Sequence, residues 1–266
     1  MSTSDKFLAA VAAENRPAIA ERVAVVLAHP DDETLGCGAL LSRLRNVTVV
    51  HVTDGAPRNG ADAARHGYAS PADYAAARQR ELTAAMALAG IGPDRLACLG
   101  IADQAVVHNL AEVARRLAPV LQPAEIVLTH AYEGGHPDHD ATAFVVHAAA
   151  RLLGPSAPTI VEMPFYRAAP DGSWLRQDIT EGPAPTVLRL TEDERTRKAA
   201  MLAAHATQAE TLAPFGAADE QFRPAPAWDF AQPPNGGGVL YQSYQWGTDF
   251  AGFAERVRAA QAELGL

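Results

Sequence analysis

Cysteine is scarce: Cys37 and Cys98 are the only two in 266 residues. A disulfide framework of the kind that staples secreted domains is therefore excluded, and a reducing cytoplasm is the compartment that fits. Positive charge is also short, with 22 Lys and Arg against 31 Asp and Glu for a net charge of −9. That balance excludes a nucleic-acid partner or an anionic membrane surface, since either requires basic patches to meet phosphate. Long apolar runs are missing too, so no segment reads as a membrane span. The N-terminal stretch MSTSDKFLAAVAAENRPAIAERV is interrupted by Glu14, Asn15, Arg16, Glu21 and Arg22 and lacks the pattern of a signal peptide. What remains, 48% hydrophobic and 20% charged residues, is the composition of an ordinary globular protein. The length suits one large α/β domain over residues 1–266.

Short apolar runs at 23–28 (VAVVLA), 47–53, 95–100, 125–130 and 159–165 read as buried parallel strands. Segments with helical spacing lie between them, at 36–45, 71–90, 109–121 and 140–153. Strands alternating with helices imply right-handed crossovers and a Rossmann-like, mostly parallel sheet flanked by helices. In such sheets ligands bind beyond the carboxyl ends of the strands.

Two polar clusters fall at such ends. Ala28-His29-Pro30-Asp31-Asp32-Glu33 follows the first run directly, and the segment from His130 to Asp140, HAYEGGHPDHD, follows EIVLT. Three adjacent carboxylates repel one another unless a positive charge sits among them, and a metal ion is the first suspect. A lone His-Pro-Asp reads as a turn whose Asp caps the next helix, but a cap needs one carboxylate and AHPDDE supplies three. His29 and Asp32 are three residues apart on a loop entering a helix, and His136 and His139 repeat that spacing. Two imidazoles and one carboxylate form a common catalytic zinc set with an open position for water, although the same donors suit Fe(II).

AHPDDE after the first strand with HPDHD after a later one resembles the PIG-L/LmbE family of zinc-dependent N-deacetylases, which act on N-acetylglucosamine-type sugars and their conjugates. The resemblance runs from about Val23 to Phe215 and takes in VTDG at 52–55, RQRELTAAMALAGI at 78–91 and KAAMLAAHATQ at 198–208. It implies an LmbE-like fold, zinc bound by His29, Asp32 and His139, Asp31 as general base and His136 as the catalytic histidine. It also implies hydrolysis of an N-acetyl amide on a small amino-sugar substrate, with the identity of that sugar and any homo-oligomeric state left open.

Other residues carry weaker expectations. Glu33 fits a cap or a partner to a ligand imidazole, not a metal ligand. Asp54 at a strand end and Arg58 in the following loop are candidate substrate contacts, as are Tyr132 and Glu133 before the Gly-Gly turn; turn formation and solvation are the alternatives. Asp140 suits a helix cap, and His130 is the remaining histidine nearest the second cluster. Glu33-Thr34-Leu35-Gly36-Cys37-Gly38 superficially resembles a nucleotide- or S-adenosylmethionine-binding loop, but its glycines come too late after the strand and three carboxylates would face any phosphate. A non-catalytic sugar- or metal-binding module is the other rival, and Asp31 argues against it, because a pure binding site needs no uncommitted carboxylate beside the metal. From 211 to 266, Pro and Gly rise and then a helical pattern appears at 249–264, which reads as a loop-rich excursion on the same domain that shapes substrate or interface. Trp228, Tyr241, Tyr244 and Trp246 there could stack on a sugar or form a subunit contact.

Overall fold

Residues 23–27 are buried throughout because their side chains alternate between two cores: Val23, Val25 and Leu27 point to one, Ala24 and Val26 to the other. A strand covered on both faces reads as a continuous apolar run. The computed structural model describes residues 1–169, 171–179, 182–244 and 246–266. Its strands are β1 (Ile19–Leu27), β2 (Leu44–Pro57), β3 (Leu96–Asp103), β4 (Ile126–His130), β5 (Thr159–Met163), β6 (Tyr166–Ala168), β7 (Trp174–Arg176), β8 (Thr186–Arg189) and β9 (Asp219–Pro224). Its helices are α1 (Thr3–Ala12), α2 (Asp32–Leu41), α3 (Ala61–Arg65), α4 (Pro71–Leu88), α5 (Leu110–Leu121), α6 (Pro137–Leu153), α7 (Glu192–Ala204), α8 (Ala209–Leu212) and α9 (Phe250–Leu264).

The main sheet has the order β3-β2-β1-β4-β5-β9-β8. The first five strands run parallel, and β9 is antiparallel to both of its neighbours. Helices α1, α2, α4 and α7 pack on one face through residues such as Phe7, Leu40, Leu82 and Met201. Helices α5, α6 and α9 cover the other through Leu117, Val145 and Phe253. The mostly parallel α/β sheet expected from the strand-helix alternation is therefore present, extended by an antiparallel pair, by α1 and by a separate β6–β7 hairpin that no periodicity announced. Residues after 211 contribute Phe230, Tyr241, Phe253 and Val257 to the second core.

Helix α2 differs from expectation. It begins at Asp32, four residues before the expected start, and ends at Leu41. Asp32 and Glu33 occupy its first turn, where the positive end of the helix dipole favours them. Gly36 lies inside the helix, because a Cβ there would come within 2.9 Å of Phe165 and 3.2 Å of Met163. The next half of the helix is fixed by a buried ion pair. Lys198 on α7 donates to Glu220 on β9 and to the Leu35 carbonyl, and Glu220 accepts the N–H groups of Ala39 and Leu40.

Breaking that pair leaves an uncompensated charge at a fully buried point, so Lys198→Met should lower unfolding free energy by about 3–5 kcal/mol in denaturant titration. A second expectation concerns Glu162, fully buried on β5, where it accepts from Arg223 and Trp228. Burial pushes its carboxyl up to about 7 from 4.5, against the pull of Arg223. Between those values the folded state keeps a proton that the unfolded chain has released, so this group's contribution falls as pH rises, by about 3 kcal/mol over the window. Glu162→Gln should flatten that part of the pH dependence in unfolding curves recorded at pH 5 and pH 7.5.

Candidate metal and active site

The strand order reverses between β1 and β4, and the loops that follow these two strands meet there. This is the switch point at which open α/β sheets form their crevice. The Ala28 N–H, just past β1, donates to His130 Nε2 at the end of β4 over 2.9 Å, which fixes the two loops relative to one another. His29, Asp32 and His139 come together as a result. His29 Nδ1 lies 3.3 Å from His139 Nε2 and 3.4 Å from Asp32 Oδ2, and His139 Nε2 lies 3.4 Å from Asp32 Oδ1. Donors bound tetrahedrally at about 2.0–2.1 Å would sit about 3.3–3.4 Å apart; the two imidazole nitrogens match that separation, and Asp32 faces each of them with a different carboxylate oxygen, so the three side chains could hold a divalent cation.

The hydrogen bonds around the triad leave the right atoms facing inward. His29 Nε2 donates to Asp103 Oδ1 at 3.1 Å, with Asp138 Oδ2 at 3.5 Å, so the Nδ1 lone pair faces His139 and Asp32. A carboxylate behind a ligand imidazole is the usual device for fixing its tautomer. Burial opposes charge on His29, yet Asp103, Asp138 and Asp32 outweigh it and raise the imidazole well above its ordinary range. The same three carboxylates would stabilise a cation. His130 also stands within reach of Asp32 and His139, with Nε2 3.4 Å from Asp32 Oδ2, but that nitrogen accepts from the Ala28 N–H, and burial together with His139 brings the imidazole down to about 3. It stacks on His139 at 4.0 Å instead.

Asp31 stands beside the triad. Its backbone has φ 139°, a left-handed value rarely adopted by a non-glycine residue and costing about 1–3 kcal/mol. Two contacts hold it: its N–H donates to Glu33 Oε2, and Arg78 donates to its Oδ2 as well as to the Pro30 and Gly55 carbonyls. Burial, with the neighbouring Asp32 charge, pushes its carboxyl up to about 6 against the pull of Arg78. His136 lies on the other side of the triad, its ring 4.8 Å from that of His29. Its Nδ1 accepts the Asp138 N–H, so the neutral ring carries its proton on Nε2. Burial and the nearby His29 hold it well below its ordinary range despite Asp103, which keeps it neutral.

Five expected residues thus share one cavity of about 410 Å³, in the range of small-molecule sites: His29, Asp31, Asp32, His136 and His139. The other four expected contacts do not line it. Asp54 and Arg58 pair with each other. Tyr132 is a core residue whose hydroxyl donates to the Gln232 carbonyl, and Glu133 accepts the N–H groups of Phe165 and Tyr166. Glu33 does not orient a ligand imidazole; it is wholly buried and accepts from His51 and Thr34, with His205 at 3.4 Å. Of the four C-terminal aromatics only Trp246 lines the cavity, packed 4.9 Å from His136 and stacked on Tyr244; Trp228 and Tyr241 donate to Glu162 and Asp140. Sequence reasoning missed Asp103, Asp138, Arg78, Tyr166 and Trp174. Asp103 had a readable signal, since it ends a parallel strand on the ligand-binding rim.

The family model for GlcNAc-PI de-N-acetylase (PIG-L) matches residues 24–150, the span that holds all five cavity residues from the two motifs. A protein of Bacillus subtilis (strain 168) named probable N-acetyl-alpha-D-glucosaminyl L-malate deacetylase 2 is 28% identical over 199 residues, covering 72% of this chain and 85% of its own. Among solved structures, the A40926 pseudoaglycone deacetylase superposes with a TM-score of 0.59 at 25% identity, over 77% of this chain and 97% of its own. The N,N'-diacetylchitobiose deacetylase of Pyrococcus horikoshii shares the fold, with a TM-score of 0.55 at 19% identity over 84% of this chain and 92% of its own.

The loop that carries His136 is built against backbone with no room to spare. A Cβ on Gly135 would stand 2.1 Å from the Tyr166 carbonyl oxygen. Gly135→Ala should therefore cost about 3 kcal/mol in thermal unfolding and weaken Zn²⁺ binding in calorimetry, since neither backbone segment can yield without moving the His136–His139 turn.

Proposed function

We propose that this chain, which matches the GlcNAc-PI de-N-acetylase (PIG-L) family model over residues 24–150, is a metal-dependent amidase that removes the N-acetyl group from an N-acetylglucosamine-type sugar or conjugate. One observation carries the reading to residue level: the His29 and His139 imidazoles at tetrahedral-edge spacing with the Asp32 carboxylate against both, and Asp31 next to this triad and outside it. His29, Asp32 and His139 hold a divalent cation, zinc in the first instance and Fe²⁺ as the alternative. Such an ion, when bound, acidifies a water and polarises an amide carbonyl.

The protein's own groups supply the rest. Asp31 accepts the proton of the attacking water; its Oδ2 is held by Arg78, so the carboxylate is oriented before substrate arrives. His136 presents an Nε2–H to the oxygen on which negative charge develops and needs no net charge to do so. Asp31, having taken the proton of the attacking water, returns it to the departing amine, which completes the reaction. Glu33 and Arg78 bind the base and keep its strained backbone in place. The buried ring of His130 and the rings of Tyr166 and Trp246 limit water around the triad. Both cysteines are free, which supports a cytoplasmic location. No helix among the described residues is long and apolar enough to cross a membrane.

Chelated protein should release no acetate from a panel of N-acetylglucosamine compounds, and added Zn²⁺ should restore release; a larger restoration by Fe²⁺ would reassign the metal. Asp31→Asn keeps the shape and backbone tolerance of the residue, so it should retain metal while losing about 10²–10⁴-fold in turnover. His139→Ala should lose both. Full activity in Asp31→Asn would remove Asp31 as the base.

A further inference from the structure

The cavity that contains the triad has a second end. A chain of ring contacts leads to it: His139 lies 5.4 Å from Tyr166, Tyr166 stacks on Trp174 at 4.9 Å and 13°, and the guanidinium of Arg176 sits 5.5 Å above the Trp174 ring. The same guanidinium is 5.6 Å from the ring of Phe215, so it rests against two aromatic surfaces contributed by different parts of the chain. Trp174 is itself fixed, its Nε1 donating to the Tyr244 hydroxyl. Arg176 and Trp174 share one face of β7, two residues apart, which is why both reach the cavity.

Two cations line this cavity, and they are differently committed. Arg78 is spent on Asp31 and on two carbonyls. The exposed Arg176 guanidinium has no hydrogen-bond or ion-pair partner among the described residues. The carboxylates on its side of the cavity do not reach it: Glu210 pairs with Arg65 instead, and Asp62 makes no ion pair with Arg176. Aromatic contacts of this kind orient a guanidinium while leaving its N–H edge unused, and that planar edge matches a carboxylate or phosphate.

We propose that Arg176, held by Trp174 and Phe215, forms a second subsite that binds a carboxylate or phosphate carried by the aglycone, the part of the substrate remote from the N-acetyl group. This rests on the deacetylase reading for the identity of the rest of the substrate. It makes the substrate an anionic conjugate of the amino sugar, extended enough to span from the triad to the β6–β7 hairpin, in preference to free N-acetylglucosamine. Because two rings bound the guanidinium before the ligand arrives, less freedom is lost on binding than by an unsupported side chain.

The test uses three probes, the phenyl, 4-carboxyphenyl and 4-phosphophenyl glycosides of N-acetylglucosamine, with both calorimetric binding and acetate release measured on the zinc-loaded protein. The wild type should bind and turn over at least one anionic glycoside about 10- to 100-fold better than the phenyl glycoside, the range expected of a charge-assisted hydrogen-bonded contact. Which anion is favoured separates carboxylate from phosphate. Arg176→Gln should abolish the preference while leaving the phenyl glycoside unchanged, and Arg176→Lys should retain part of it. Equal binding of charged and neutral probes by the wild type overturns the subsite, as does a preference that survives Arg176→Gln or a variant that weakens all three probes alike. An Arg176-dependent preference in binding without acetate release from any probe would uphold the subsite and sink the deacetylase reading instead.

Discussion

Everything at this site depends on β1 and β4 being neighbours in the sheet. Residues 29–32 and 136–139 are about a hundred positions apart in the chain, and no local interaction could bring them together. Parallel pairing of Val23 with Ile126 and Val25 with Leu128 does so, and the Ala28 N–H to His130 Nε2 bond closes the last gap. Once that register is set, the side chains of His29, Asp32 and His139 have little freedom left. Asp32 is held by the His29 N–H, and His29 by Asp103. The geometry of these three side chains is a property of the sheet as much as of the motifs.

The surroundings carry costs that a purely structural design would avoid. Buried Asp31, Asp32 and Asp138 converge with half-buried Asp103, Asp31 adopts a strained backbone, and Arg78 is drawn into the interior to hold it. Buried charges of one sign destabilise a fold unless something offsets them. Arg78 pairs with Asp31, the His29 Nε2–H donates to Asp103, and a cation held by the triad would offset much of what remains. Strain and unbalanced charge concentrated at one rim, in an otherwise well-packed protein, mark where stability has been exchanged for chemistry.

The parts that sequence discloses are those whose signal is local. Alternating strand and helix patterns give the parallel sheet, and the two His/Asp clusters announce themselves by residue type and by position after apolar runs. What escapes is decided by tertiary contact. Asp54 and Arg58 look like cavity residues until their mutual ion pair is seen, and Tyr132 and Glu133 lie in the right loop but turn away from its open side to satisfy buried backbone groups. Arg78 is one of several charged residues on α4, and nothing in its neighbours says that it alone reaches under the loop after β1. The β6–β7 hairpin is too short for periodicity to reveal, yet it provides Trp174 and Arg176.

That hairpin has an evolutionary consequence. The groups assigned to chemistry sit on loops between the ends of parallel strands, where a shift of one residue would disturb the core. The far wall of the cavity is assembled from a two-stranded ribbon that pairs, among the described residues, only with itself, a short stretch around Phe215 and the segment around Trp246. Chain of this kind tolerates insertion, deletion and replacement far better than strand ends do. In the proposed reading, recognition of the aglycone and hydrolysis of the amide fall on separable pieces of sequence, so exchanging the ribbon would change the one while leaving the rim that carries the other in place.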